Sequence, residues 1–431
     1  MDAAPPDDTA RHATHRTIEA VWRIESPKLI ARLARMLRDV GQAEDLAQDA
    51  LVAALEHWPR DGVPDNPGAW LMQTAKRRGI DRIRHRDLVD DRHARYGETL
   101  EPAAMPAPDD ADRLDDDIGD DLLRLVFTAC HPVLSTEAQV ALTLRMLGGL
   151  TTAEIARAFL QPEPTVAQRI VRAKKTLASK HVGFEAPRRE DLADRLAAVL
   201  GVVYLVFNEG YAATAGEDWM RPALCQDAMR LGRVLAGLLP AEPEVHGLVA
   251  LMEIQASRIP ARTQPDGTPI LLLDQNRARW DRLLIGHGLA ALDRAHRLGG
   301  TDGVYVLQAD IAACHARAAR PEDTDWARIA ALYARLGEVA PSPVIDLNRA
   351  VAVSMADGPD AALPLVDALV ADGTLAGYHP LPAVRGDLLS RLGRHAEAAA
   401  AFREAASLTR NAREQAQLEA RAEACRVAEG G

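Results

Sequence analysis

Residues 101–121 constrain the possible folds of this chain more than any other segment. The stretch contains nine acidic side chains against a single arginine, together with three prolines and few large apolar residues. A segment of that composition buries too little apolar surface to offset the conformational entropy lost on folding. We therefore predict an acidic, largely unstructured linker over 91–118, with separately folded modules before and after it.

The modules are predicted to be all-α. Few strand-like alternations occur, and with only 4% aromatic residues the cores must be built mainly from aliphatic side chains. A length of 431 residues predicts two or three domains. The sequence has no apolar run long enough for a membrane span and no secretion-signal layout at its N-terminus, so we expect a cytoplasmic chain without a membrane partner.

Charge and cysteine usage exclude several classes of protein. A net charge of −11 argues against a protein that coats nucleic acid over its whole surface, although it permits local basic patches. The four cysteines are scattered singly, and no CxxC pair occurs. We therefore expect no disulfide framework, no metal site and no cofactor. Basic clusters lie on both sides of the acidic segment, at 76–86 and 165–181.

The N-terminal module, 15–90, is predicted to contain three helices over 16–38, 43–57 and 67–86. The second helix has an apolar face, and its acidic and amide residues gather on the opposite, outer face. These outer residues are Glu44, Asp45, Gln48 and Asp49. The third helix ends in the first basic cluster. A solvated acidic face and a basic helix C-terminus that complements the helix dipole remain structural alternatives for the two charged surfaces.

The second module, 119–181, carries the most specific pattern. Helices are expected over 121–130 and 136–147, and Thr151 with Glu154 forms the sequence signature of a capping box. A short helix ending near Leu160, a proline-bounded turn and a longer helix over 165–179 are typical of a helix-turn-helix motif, whose second helix enters the major groove of DNA. A helical hairpin with a solvated basic face is the structural alternative, but 165–181 contains no acidic residue.

Residues 15–181 resemble the extracytoplasmic-function group of bacterial RNA polymerase sigma factors, in the sigma-70 family. AEDLAQDALVAALEHW resembles sigma region 2.2, and AWLMQTAKRRGIDRIRHR resembles regions 2.3 and 2.4. TTAEIARAFLQPEPTVAQRIVRAKKTLA resembles the region 4.2 helix-turn-helix, although the turn usually has glycine where this chain has Leu160. The resemblance implies an all-α fold with a sigma region 2 domain and a sigma region 4 domain.

The resemblance also implies which residues act. Asp45, Gln48 and Asp49 would bind the β′ clamp helices of core RNA polymerase, and region 4 would meet the β flap. The −10 promoter element would be bound by Lys76, Arg77, Arg78, Arg82 and Arg84, beside the loop Pro59–Gly68 with Trp58 and Trp70. The −35 element would be read by Thr165, Gln168, Arg169, Arg172 and Lys175. Arginine, glutamine and lysine suit these tasks because they pair with guanine, adenine and phosphate.

The remaining chain is predicted to form a helical extension over 186–300 and tetratricopeptide-like (TPR-like) repeats over 301–431. FNEGY suggests a helix stop at Gly210, and helices are expected over 222–239, 242–258 and 275–298. The segments 345–369 and 378–408 match each other at an offset of 36–37 residues. This half resembles the regulatory extension of one group of these sigma factors. Its members are encoded beside small YCII-like (DGPF) proteins, so such a protein is an implied partner.

No catalytic constellation is recognisable in the sequence. Cys130 and His131 are adjacent, followed by Pro132 at a helix break, which favours a buried cysteine and a capping histidine over a nucleophile. We therefore expect a promoter-specific transcription initiation factor that is not an enzyme, with activity modulated by its C-terminal extension. The alternative is a DNA-tethered helical-repeat protein that acts as a transcriptional activator or repressor.

Overall fold

The computed structural model describes residues 8–79, 118–188, 190–213, 220–265 and 267–429. All regular elements in these ranges are helical, apart from one isolated bridge between Thr263 and Pro269. This confirms the predicted all-α class. The chain divides into two compact units, an N-terminal unit Met1–Val202 and a C-terminal unit Val203–Gly431. In the part of the chain that the structure describes, no helix is long and apolar enough to cross a membrane.

The N-terminal unit begins with three helices. They are α1 (Asp8–Leu37), α2 (Val40–Asp61) and α3, which covers 67–79 of the described residues. Asp39 caps α2 by accepting a hydrogen bond from the Gln42 backbone N–H at 2.9 Å. Because α2 continues to Asp61, the predicted loop Pro59–Gly68 is shorter than expected, and Pro59 lies inside the helix. The predicted linker 91–118 lies outside the described residues except at its last position.

Four further helices complete the packing of this unit. They are α4 (Ile118–Ala129), α5 (Thr136–Met146), α6 (Thr152–Ala158) and α7 (Glu163–Ser179). Helix α1 packs against both α2 and α4, and its Ile30 and Leu33 are fully buried. The helices on either side of the acidic segment therefore share one hydrophobic core.

The next five helices after α7 include the three that were predicted over 222–239, 242–258 and 275–298. They are α8 (Leu192–Tyr211), α9 (Pro222–Leu238), α10 (Pro243–Ala256), α11 (Arg282–Arg297) and α12 (Val304–Arg317). Gly210 does not stop α8 as predicted. It lies in the last turn, where an added Cβ would come within 2.7 Å of the Cys225 backbone nitrogen, so the missing side chain permits close contact with α9.

The predicted helix over 275–298 is also shorter than expected. Residues Arg277–Arg279 form a 3₁₀ turn, and α11 begins only at Arg282. The Asp281 carboxylate accepts hydrogen bonds from the backbone N–H groups of Leu283 and Leu284 at 2.9 and 3.1 Å. This aspartate is the N-cap residue that fixes the start of the helix.

The last six helices pack in sequence order, each against the next. They are α13 (Trp326–Val339), α14 (Pro343–Ala356), α15 (Pro359–Asp372), α16 (Pro380–Arg391), α17 (His395–Leu408) and α18 (Ala412–Glu429). The two predicted repeat copies are the pairs α14–α15 and α16–α17. Gly386 faces the Phe402 ring at a distance that leaves no room for a side chain, as close small-residue packing in helical repeats requires.

Candidate nucleic-acid interface

Helices α6 and α7 form a helix-turn-helix. The Thr151 hydroxyl accepts a hydrogen bond from the Glu154 backbone N–H at 3.1 Å, and the Glu154 carboxylate accepts one from the Thr151 backbone N–H at 2.8 Å. The predicted capping box is therefore confirmed. Leu160 has a φ of +49° in the turn, so this leucine adopts the left-handed conformation that glycine usually supplies. Helix α7 begins at Glu163 with Pro164 in its first turn.

The amphipathic pattern of α7 separates a buried stripe from an exposed polar face. Val166, Ile170, Ala173 and Leu177 are buried, as their spacing predicts. Thr165, Gln168, Arg172 and Lys175 are exposed. The structure therefore places the predicted DNA-reading side chains together on the outside of the helix.

A groove runs along this face of α7. It is closed on the other side by the turn that leads into α5, and its lining includes Ser135, Thr165, Gln168 and Arg172. Arg169 also lines the groove, and its guanidinium Nη1 donates to Gln161 Oε1 at 2.7 Å. Gln161, which the sequence analysis did not select, therefore orients one of the predicted DNA-reading arginines.

The predicted −10 residues lie partly within the described residues. Arg77 is exposed and Lys76 is half-buried at the end of α3, whereas Arg82 and Arg84 lie outside the described residues. Arg78 Nη1 donates to the Asp49 backbone oxygen at 2.7 Å, so this arginine joins α3 to α2. Among the described residues of the basic cluster, Arg77 is therefore exposed to solvent, whereas Arg78 is held by its hydrogen bond to α2.

The two tryptophans near this cluster have different environments. Trp58 is only 2% exposed and packs edge-to-face against Trp70, with their ring centroids 5.3 Å apart. Trp70 is half-buried and lies just after the loop 62–66. Trp58 is therefore a core residue, whereas part of the Trp70 ring remains exposed beside the loop.

The predicted outer face of α2 differs from expectation at one residue. Asp45 is exposed and Gln48 and Asp49 are half-buried, but Glu44 is only 3% exposed. Its carboxylate accepts hydrogen bonds from Arg145 Nε at 2.8 Å and Lys174 Nζ at 2.7 Å. The predicted position of Glu44 on the outer, solvated face of α2 is therefore wrong, because helices from the second module cover this residue.

Lys174 also contacts Asp45, with 2.6 Å between Nζ and the carboxylate Oδ1. Burial disfavours the charged lysine, but the Glu44 and Asp45 carboxylates outweigh that effect and raise the pKa of Lys174 above its ordinary value. Lys174 was not selected from the sequence. The available signal was its position four residues after Ile170 and three before Leu177, at the edge of the buried stripe.

Cys130 has the environment of a core residue. Its side chain is 1% exposed, and its Sγ lies 3.4 Å from the Thr143 hydroxyl oxygen. Burial raises the pKa of the thiol to about 11, so the group is a neutral thiol at physiological pH. His131 accepts a hydrogen bond from the Val133 backbone N–H at its ring Nδ1, within the turn between α4 and α5. Among the described residues, no group of three or more metal-ligating side chains is found.

Family models match about half of the chain's length, in three segments. Sigma-70 region 2 matches residues 22–88, and Sigma-70 region 4 matches residues 124–177. A family of unknown function, DUF6596, matches residues 195–296. The first two matches coincide with the two modules that carry the basic clusters.

Individual proteins are similar over different lengths. An uncharacterized protein from Rhizobium meliloti, R00370, is 44% identical over 402 residues, which is 91% of this chain and 92% of that protein. The ECF RNA polymerase sigma factor SigK of Mycobacterium ulcerans is 30% identical over 142 residues, covering 32% of this chain and 71% of SigK. SigK of Mycobacterium tuberculosis strain H37Rv is 31% identical over 148 residues, covering 33% of this chain and 74% of SigK.

The crystal structure of yeast Tom70 aligns with 97% of this chain and 85% of Tom70, at 10% identity and a TM-score of 0.32, which is too low to support an argument about this chain. The SigK matches extend over more than two thirds of those sigma factors, and the helix-turn-helix described above lies in the segment that matches Sigma-70 region 4. The chain therefore belongs to the ECF RNA polymerase sigma factors of the sigma-70 family, and it carries a helical domain beyond its sigma regions.

Proposed function

We propose that this sigma factor binds core RNA polymerase and directs it to promoters through a −35 and a −10 element. The observation that carries the proposal is the exposed face of α7. Gln168, Arg172 and Lys175 point away from a buried stripe on the second helix of a helix-turn-helix. In that geometry the second helix enters the major groove, where arginine and glutamine pair with base edges and lysine binds phosphate.

The −10 element and the polymerase are assigned to the first module. Arg77 and Lys76, together with Arg82 and Arg84, supply positive charge for the DNA backbone, and Trp70 offers an aromatic ring to an unstacked base. Asp45, Gln48 and Asp49 on α2 offer an acidic surface to the β′ clamp helices. Complementary charge at such a surface gives specificity and a fast encounter more than raw affinity. We assign the contact with the β flap to the second module.

The test is run-off transcription with purified core polymerase and a template that carries the promoter of the chain's own gene neighbourhood. Initiation should depend on the full chain. Arg172→Ala should reduce initiation by about 5- to 150-fold, corresponding to about 1–3 kcal/mol for a lost base contact, on templates with the preferred −35 sequence. Lys180→Ala, on an exposed residue just beyond α7, is the matched control and should leave initiation unchanged.

The outcomes separate the proposed function from its alternative. An equal loss on every template would identify Arg172 as a phosphate contact. Reversing the charges of Asp45 and Asp49 to lysine should abolish co-elution with core polymerase while the full chain still binds DNA. If no initiation and no co-elution are seen with the unaltered chain, the DNA-tethered activator or repressor becomes the better description.

We further propose that the C-terminal helical extension modulates initiation and that a small YCII-like protein is its partner. The support is the resemblance of this half to extensions in one group of these sigma factors, together with the repeat pairs α14–α15 and α16–α17. Such repeats present concave binding surfaces. Run-off assays that compare the full chain with 1–202 test modulation, and co-purification of the neighbouring YCII-like protein tests the partner. Equal activity of both chains, or no co-purification, would contradict the respective proposal.

A further inference from the structure

Three arginines and a histidine of the C-terminal unit lie close together beside the end of α8. They are Arg258, Arg262, Arg277 and His315, and we call them the arginine cluster. The guanidinium carbons of Arg258 and Arg262 lie 5.6 and 3.6 Å from the centroid of the Tyr211 ring. Arg277 Nη1 donates to the His315 backbone oxygen at 2.9 Å. The Asp281 backbone N–H donates to the Ser257 backbone oxygen at 2.9 Å and so holds the segments of Arg258 and Arg277 together.

The cluster places positive charge where water has little access. Arg262 and Arg277 are 6% and 4% exposed, and Arg258 is half-buried. Burial lowers the pKa of Arg277, and the charge of Arg258 lowers it further. Burial and the charges of these two arginines likewise lower the pKa of His315. The positive groups therefore disfavour one another, and a negative charge beside them would stabilise the cluster.

The hydrogen bonds of Arg277 go to neutral oxygens. Its Nη1 donates to two backbone oxygens at 2.8 and 2.9 Å, and its Nη2 donates to the Thr324 hydroxyl at 3.0 Å. Glu322 and Asp323 act on its charge from solvent-exposed positions. Since a buried charge is costly unless a counter-charge pairs with it, the hydrogen bonds of Arg277 leave room for an anionic partner.

Buried N–H groups without an acceptor gather at the same place. Among the described residues, the Nε atoms of Arg258 and Arg277 and the Nε1 atom of Trp280 are buried and have no hydrogen-bond partner. The guanidinium carbon of Arg277 lies 5.0 Å from the centroid of the Trp280 ring, so two of these donors are neighbours. Because nearly all buried donors in native proteins are paired, these groups indicate a bound molecule that accepts hydrogen bonds.

An anion suits these donors better than a neutral acceptor does. Water could accept the same hydrogen bonds, but it would not offset the charge of the arginines. The planar guanidinium group matches the oxygen geometry of carboxylates and phosphates. Aromatic rings adjoin the cluster, because Tyr211 lies against Arg258 and Trp326 packs edge-to-face on His315. Both rings are half-buried and suit the apolar part of an organic anion.

We propose that the arginine cluster is a binding site for a small organic anion, with Arg258 and Arg277 holding its carboxylate or phosphate group. Arg258 is the more exposed of the two, so a ligand from solution reaches the cluster there. This site goes beyond promoter recognition, and its occupancy can be measured without polymerase or DNA.

Thermal unfolding of the full chain tests whether anions bind. The probes are inorganic phosphate, acetate and benzoate, with the ionic strength held constant by potassium chloride. At least one probe should raise the Tm in a saturable manner, because a ligand that binds the folded state alone stabilises it. Phosphate also stabilises proteins non-specifically, so only the saturable part of the response measures the site. A saturable response to phosphate alone would identify a phosphate ligand, and one to acetate or benzoate a carboxylate ligand.

Two arginine variants assign the response to the cluster. Arg258→Gln should raise the Kd for the effective probe by at least about tenfold. Without a probe it should be as stable as the unaltered chain or more so, because it relieves the repulsion described above. Arg385→Gln is the matched control and should leave the Kd unchanged, since Arg385 is also half-buried in this unit but donates to Asp367 at 2.8 Å. No saturable response to any probe, or an equal response in Arg258→Gln, would overturn the proposal.

Chemical modification locates the anion without any variant. Phenylglyoxal modifies accessible guanidinium groups, and peptide mass spectrometry gives the rate at each arginine. At a probe concentration of ten times the Kd, the fraction of free sites falls to about one tenth, so modification of Arg258 should slow by about tenfold. The exposed Arg349 provides the reference rate in the same sample. An unchanged rate at Arg258 would place the anion elsewhere and overturn the proposal, even if Arg258→Gln does not fold.

Discussion

Leu160 occupies a backbone conformation that costs an L-amino acid about 1 kcal/mol or more, and its side chain is 55% exposed. Replacement by glycine removes the steric strain and forfeits little burial. Replacement by alanine shortens the side chain but keeps the strain. We expect Leu160→Gly to be more stable than Leu160→Ala by about 1 kcal/mol, as measured by urea unfolding of the full chain. Equal stabilities would show that the turn is not strained at this position.

His315 is a second residue whose environment has a measurable consequence. It is 8% exposed and packs edge-to-face against Trp326, with ring centroids 5.1 Å apart. Burial, reinforced by the positive charges of Arg258 and Arg277, lowers the pKa of this imidazole to about 3.

The resulting pH dependence has a definite sign. Between about pH 6.5 and 3 the unfolded chain binds a proton at this histidine and the folded chain does not, so stability falls as the pH falls through that window. At pH 5 this contribution is about 2 kcal/mol relative to neutral pH. We expect His315→Phe to unfold with a shallower dependence of stability on pH between 7 and 5 than the unaltered chain. Parallel profiles in urea titrations would contradict the low pKa.

At the scale of the elements, the capping box positions the first helix of the helix-turn-helix. Thr151→Ala removes the hydroxyl that accepts the Glu154 N–H and should destabilise the chain by about 1 kcal/mol. The same variant should weaken DNA binding, because α6 supports α7. Thr152→Ala, one residue further into the helix, is the matched control for losing a threonine without losing the cap. Urea unfolding and a fluorescence-anisotropy DNA titration measure the two effects, and similar losses in both variants would exclude a specific role for the cap.

Several elements were predictable because their determinants are local. The capping box, the apolar stripe of α7 and the repeat pairs of the C-terminal unit all follow from residues three to four apart or from one repeated spacing. The exposed positions of Gln168, Arg172 and Lys175 follow from the same helical period. These features could therefore be predicted from the sequence without the tertiary structure.

Other features depend on packing between distant segments and were not predictable. Position 210 requires a glycine because α9 approaches the backbone closely there, and not because the helix ends at that residue. Glu44 has the same local pattern as its exposed neighbour Asp45, and only contact with α5 and α7 buries it. The start of α11 at Arg282 depends on a single cap, Asp281, that follows a 3₁₀ turn. Hydrophobic periodicity contains no information about such contacts.

At the scale of the whole molecule, the N-terminal unit includes residues beyond the helix-turn-helix. Arg195 at the start of α8 donates from Nη2 to the Phe127 backbone oxygen at 2.6 Å, and its guanidinium lies over the Phe127 ring. A fragment that ends at residue 185 loses this contact, whereas one that ends at residue 202 keeps it. We expect 1–202 to be more stable than 1–185 by about 2 kcal/mol, the magnitude of a hydrogen bond to a charged group.

A point mutant tests whether the Arg195 contact causes the difference in stability between the two fragments. Arg195→Ala in 1–202 should reproduce most of the loss seen in 1–185 when both are followed by thermal unfolding. Arg188→Ala, on an exposed residue in the preceding segment, should have little effect. Equal stability of all four fragments would show that the sigma portion ends before α8.

The pairing of the Glu44 carboxylate with both Arg145 and Lys174 also has an evolutionary consequence. Arg145 and Lys174 lie 101 and 130 positions along the chain from the carboxylate that binds them both. A substitution that neutralises any one of the three removes at least one of the ion pairs that Glu44 makes, so lineages tolerate it best with a compensating change at another. Descendants that keep this contact should therefore inherit these three positions together, whereas descendants that abandon it are free to vary each one independently.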